Sequence, residues 1–112
     1  MKLADVYQLR ESRDIVVTIP KGKLAEVEAE EADVDRRLSS GETGITYYWA
    51  MGRLPKEQPR RIYFCWDGAV RAYHDVMGMG AGRVHMAPQV NPVDPPRPME
   101  SFRGYRYYSE DR

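Results

Sequence analysis

A chain of 112 residues with 42% apolar content reads as one domain, residues 1–112, with a single core. One cysteine excludes an internal disulfide, and one cysteine with two histidines argues against a structural zinc site. Net charge is zero, no apolar run approaches the ~18 residues of a membrane helix, and no signal-peptide core opens the chain. The expectation is a soluble, cytoplasmic protein with no membrane partner.

The charge is unevenly spread. Residues 1–35 hold five bases and nine acids, whereas residues 53–106 hold nine bases and five acids. Thirteen of the 17 basic residues are arginine, whose planar guanidinium suits bidentate recognition of phosphate or carboxylate. A local anion-binding face on a neutral protein is one consequence; pairing between the two halves is the plainer one.

In chain order, residues 1–13 form a short edge element ending in the polar turn Glu11-Ser12-Arg13. Asp14 to Ile19 is rich in β-branched residues and reads as a strand, closed by Pro20. Pro20 also suits the first position of a helix. Lys21 to Leu38 is the one helical candidate: alanine, glutamate and leucine dominate it, and Leu24, Val27, Val34 and Leu38 share one stripe. Residues 25–30 also alternate as a strand would, but length and composition favour the helix. Glu26, Glu28, Glu30, Asp33 and Asp35 make a solvated face. Glu31 falls inside the apolar stripe, where an unpaired carboxylate would cost several kcal/mol, so a clamp to Arg61 or Arg71 is expected.

A polar loop follows from Ser39 to Gly44, then Ile45 to Met51 as a strand or strand-plus-loop, then the proline-bearing connector Gly52 to Pro59. Two β-prone runs flank Asp67-Gly68, the strongest short-range signal for a hairpin with a type I′ turn. A plain two-residue loop pairs Trp66 with Ala69, Cys65 with Val70, Phe64 with Arg71 and Ile62 with Tyr73. Both faces of that ribbon are largely apolar, so it belongs at the centre of a curled sheet or barrel. Gly78, Gly80 and Gly82 read as a turn, and Arg83 to Ala87 as a further strand. Residues 88–98 hold five prolines and read as a loop without ladder donors. Phe102 to Tyr108 reads as the last strand. The fold class is α+β: a small curled sheet or β-barrel of five to six mostly antiparallel strands with one main helix near the N-terminus.

Three features carry a resemblance. Lys21-Gly22-Lys23 begins the helix after a strand, Tyr47-Tyr48-Trp49 forms an aromatic segment, and the hairpin turns on a glycine. Over residues 14–108 the layout resembles the PUA-like barrels, especially the ASCH and EVE branches. The resemblance implies binding of RNA, modified bases or nucleotides in a cleft beside the barrel, with a few members acting as small hydrolases. It also implies that Glu26 or Glu28 stands for the glutamate that ASCH domains place after the Gly-x-Lys element.

Arginines interleaved with aromatics suit single-stranded nucleic acid, since guanidinium finds phosphate and rings stack on bases. For any one aromatic, core packing is the commoner role. Tyr48, Trp49, Arg61, Arg103 and Tyr105 are the expected ligand-binding set, with RNA, a single strand or a nucleotide as partner. Hydrolysis would need an acid/base pair drawn from Lys23 with Glu26, or Glu31. A third reading is a protein-interaction adaptor that presents Met86, Val90, Val93 and Met99 along the proline-rich loop. His74 and His85 with Asp75 lack a specific metal-ligand spacing, and neither phosphate-binding loop nor nucleophile elbow occurs, so no metal or cofactor is implied.

Overall fold

The computed structural model describes residues 14–109, so the edge element read at residues 1–13 lies outside the described residues. The strands are β1 (Asp14–Thr18), β2 (Tyr48–Ala50), β3 (Arg61–Trp66), β4 (Ala69–Gly80), β5 (Arg83–Met86), β6 (Asn91–Pro98) and β7 (Tyr105–Tyr108). A 3-10 turn over Lys21–Lys23 leads into α1 (Leu24–Ser39). They form one curled mixed sheet in the order β2-β5-β4-β3-β1-β7, with β6 also on β4. The architecture is the expected α+β half-barrel with one helix near the N-terminus. Its one parallel pair is β1 with β3, the helix and β2 lying between them in sequence.

β-branched Ile15, Val16 and Val17 are buried on both faces of β1, and Ile62 to Cys65 are likewise buried in β3. One face builds a core of Ile15, Val17, Ile19, Ile62, Phe64, Val84 and Met86, capped by Leu24 and Val27 of α1 and by Tyr47 and Trp49. The opposite face gathers Val16, Tyr63, Cys65, Val70 and Val93 beneath Tyr73, Met99, Phe102 and Tyr108. The hairpin therefore is a central pair, as its two apolar faces require. Val34 of the helical stripe is buried, while Leu38 at the end of α1 lies exposed.

Asp67 and Gly68 have φ of 51° and 76°, the left-handed values that a type I′ turn demands at both positions. Beyond the turn the register departs from the plain hairpin. Cys65 faces Val70, but Phe64 faces Ala72, Tyr63 faces Tyr73 and Ile62 faces His74. Arg71 is an extra residue in β4, a β-bulge, and it shifts every later side chain to the other face. Tyr73 thereby joins Tyr63, and His74 turns inward toward Phe64. Arg71 occupies the bulge because its long side chain doubles back. Its Nε donates to the Trp66 carbonyl at 2.8 Å and its Nη2 to the Asp67 carbonyl at 2.9 Å.

Two further expectations are corrected. Gly78 and Gly80 belong to β4, and the turn is the pair Ala81-Gly82, with φ of 52° and 73°. The proline-rich stretch is a strand, not a loop. β5 and β6 succeed one another along one edge of β4, β5 opposite Val76 to Gly80 and β6 opposite Ala69 to Tyr73. β6 has β4 as its sole strand partner among the described residues, and an edge strand tolerates proline because its outer side needs no ladder donors. Met86 and Val93 are buried and Met99 packs on the second core, so these apolar residues cover the chain's own interior.

Arg71→Ala removes two charge-assisted bonds to turn carbonyls and is expected to destabilise the fold by roughly 1–3 kcal/mol. The readout is the urea midpoint at unchanged m-value, with Arg71→Lys recovering part of the loss. Equal midpoints for Arg71→Ala and the parent would remove the bulge clamp from the account.

Candidate functional site

The sheet path ends at β2 on one side and β7 on the other, and these two strands do not pair with each other. A cleft of about 560 Å³ lies along this seam, between the end of β1, the 3-10 turn, β2 and the loop before β7. Alternation along β2 decides which aromatics reach it. Tyr48 and Ala50 point out, while Trp49 points in, edge-on to Phe64 at 5.3 Å between ring centroids. Trp49, Met51 and Phe102 supply the apolar lining. Phe102 is anchored from two sides: its N–H donates to Thr18 Oγ1 at 3.2 Å, and the Arg106 guanidinium lies 4.4 Å over its ring.

Lys23, Arg53 and Arg103 line the same cleft, and among the described residues no carboxylate does. None of the three has an ion-pair partner among the described residues. Tyr105 packs on the core next to them. Its burial, then Tyr107 beside it, raise the phenol pKa, and the Arg53 charge opposes that rise. Three cations without an ion-pair partner among the described residues, around an apolar floor, suit an anion that carries a flat, weakly polar group.

The structure thus brings Trp49, Arg103 and Lys23 together, with Tyr105 alongside. Tyr48 and Arg61 go elsewhere. Tyr48 is 44% exposed, packs 6.1 Å from His85 and carries the Arg83 guanidinium 4.2 Å over its ring. Arg61 lies 4.5 Å over Tyr73, donates to Tyr63 Oη at 3.3 Å and sits 3.8 Å from Asp75. Arg53, Met51 and Phe102 complete the cleft. In the sequence Arg53 is simply a residue of the proline-bearing connector, and the strand that precedes it carries it to the seam.

The carboxylates do not converge. Glu26 is exposed on α1. Glu31 does face the sheet, as its place in the helical stripe requires, but its partner is His74 and not Arg61 or Arg71. The bulge is the reason, since it turns His74 inward beneath the helix. His74 is fully buried, and its Nδ1 donates to the Ala87 carbonyl at 2.9 Å. Its Nε2 lies 3.5 Å from Glu31 Oε1, within ion-pair reach but outside hydrogen-bond geometry. Because Nδ1 holds a proton toward a carbonyl, a favourable Nε2–Oε1 contact needs a second proton on one of those two atoms. Tyr47 packs edge-on to His74 at 5.1 Å; burial, then the Glu31, Glu30 and Asp35 charges, hold its phenol far above the ordinary range and therefore neutral. His85 pairs with Gly78 and stacks on Tyr48, away from His74, and no group of three metal-binding side chains forms among the described residues. No helix among them is long and apolar enough to cross a membrane.

Comparison with protein-family models, curated proteins and solved structures finds no match to this chain.

Glu31→Ala strands the buried imidazole and is expected to lower stability by about 1–3 kcal/mol. Glu31→Gln keeps a polar partner over Nε2 and should lose less than half of that. Denaturant unfolding at neutral pH decides the matter; equal losses in the two variants would show that packing, and not the polar contact, is what Glu31 contributes.

Proposed function

We propose that this protein is a binding module of PUA-like type for single-stranded nucleic acid, RNA foremost, or for a nucleotide, and that the seam cleft is its site. One observation carries the reading: among the described residues, Lys23, Arg53 and Arg103 stand without an ion-pair partner around Trp49 and Phe102, in a cleft lined by no acid. Phosphate answers the cations, and a base answers the rings, so a nucleotide satisfies both halves at once. Arginine further suits phosphate through its bidentate geometry. The cleft volume falls within the roughly 300–1,000 Å³ typical of small-ligand sites, large enough for one nucleotide.

Binding is favoured over hydrolysis because the cleft lining holds neither carboxylate nor imidazole. Proton transfer there would fall to Lys23 alone, without the paired partner that acid–base chemistry uses. Glu26 and Glu31 lie outside the lining.

Trp66→Phe leaves Trp49 as the only tryptophan, so its emission reports the cleft directly. Titration with a single-stranded oligonucleotide is expected to quench it. Each phosphate neutralised on a single strand adds ~0.7 to the negative slope of log K against log salt, so the one nucleotide in the cleft gives a slope of about −0.7. Arg53→Ala or Arg103→Ala should each flatten that slope and weaken binding. Unchanged emission with oligonucleotides and with free nucleotides would sink the reading.

A further inference from the structure

A second depression of about 480 Å³ adjoins the seam cleft, and Thr18, Pro20 and Phe102 line both. The two compartments differ in chemistry. Among the described residues the charged lining of the cleft is cationic only, whereas Lys21, Ser101 and Asp67 all line the depression. Asp67 is held there by the type I′ turn, with Arg71 Nη2 bonded to its carbonyl at 2.9 Å and lying 3.9 Å from its Oδ2. A carboxylate repels a phosphate, so a strand running through both compartments would place its phosphates by the cleft cations and a base edge by Asp67.

We propose, on the reading that the cleft binds nucleotides, that cleft and depression together hold two successive nucleotides of a single strand. The base in the depression carries an exocyclic amine, with cytosine preferred over uracil. Each compartment has the volume of a site for one small ligand, and Phe102, anchored through its N–H, lines both. Cytosine presents an amine donor beside ring-nitrogen and carbonyl acceptors; Asp67 accepts from the amine, as carboxylates do, while Lys21 and Ser101 donate to the acceptors. Uracil sets a carbonyl where cytosine has its amine. That opposes two acceptors, and the mismatch discriminates by repulsion.

The experiment uses the full chain with Trp66→Phe and follows Trp49 emission. The probes are cytidine and uridine monophosphates and the 5′-phosphorylated dinucleotides of cytidine and of uridine, in ribose and deoxyribose forms. The cytidine dinucleotide is expected to bind at least tenfold tighter than cytidine monophosphate and at least fivefold tighter than the uridine dinucleotide. Asp67→Asn, an exchange that the left-handed turn position tolerates, should narrow the cytidine-to-uridine ratio to below threefold. Dinucleotides no tighter than monophosphates overturn the two-compartment proposal and leave the cleft reading standing. Tighter dinucleotides with no cytidine preference overturn the assignment of Asp67. Failure of every probe overturns the cleft reading and this proposal with it.

Discussion

Arg71 is one residue more than the β3–β4 ladder needs, and the remainder of the sheet is set by where that surplus falls. A bulge twists and bends its strand, and here it sits just past the tightest turn. Downstream of it, β4 carries Tyr73 into the outer core and His74 into the inner one. β4 also takes β6 and β5 in succession along its free edge. The guanidinium that spans the Trp66 and Asp67 carbonyls holds turn and bulge as one unit. The same turn holds Asp67 at the rim of the second depression, so the bulge and the lining of that depression share one anchor.

Curling without closure is the second consequence. β2 and β7 end the sheet facing a gap, and three cations stand around it. Like charges disfavour drawing the seam shut, and among the described residues no carboxylate in the lining relieves them. The acids lie on another part of the surface: Glu26, Glu28, Glu30 and Asp35 are exposed along α1. A net charge of zero therefore conceals a separation, a basic seam and an acidic helix, on a single small domain.

Turn chemistry and helical phase were legible in the sequence because each rests on local rules. Asp-Gly needs left-handed dihedrals at both positions, and the stripe of Leu24, Val27 and Val34 needs only a period of 3.6. The bulge was not legible, since arginine at position 71 fits a plain ladder equally well until its side chain is seen to turn back. The partner of Glu31 was lost with it, because the uninterrupted register sends His74 to the opposite face. β6 was hidden by its prolines. They remove ladder donors, and only the knowledge that one side of the strand is unpaired makes them harmless. Within the site, Tyr48 and Trp49 were expected together, and strand alternation sends Trp49 alone into the cleft. The two are neighbours in sequence, and sequence alone does not give which of them faces inward.

Magnitudes constrain what the seam can achieve. On the proposed nucleotide reading, two rings that stack on bases would supply ~1–3 kcal/mol each, roughly 2–6 kcal/mol together, and surface cations on phosphates would add less at physiological salt, where the Debye length is about 8 Å. Binding of that size is weak, in the millimolar to micromolar range. The acidic helix repels the remainder of a long polyanion, so extra length beyond the seam gains little. On that reading, discrimination would come from what fits the cleft and not from accumulated charge. Selectivity would then depend on the few groups that meet a base edge, and Asp67, in a turn that fixes its backbone, is the acceptor proposed to impose it.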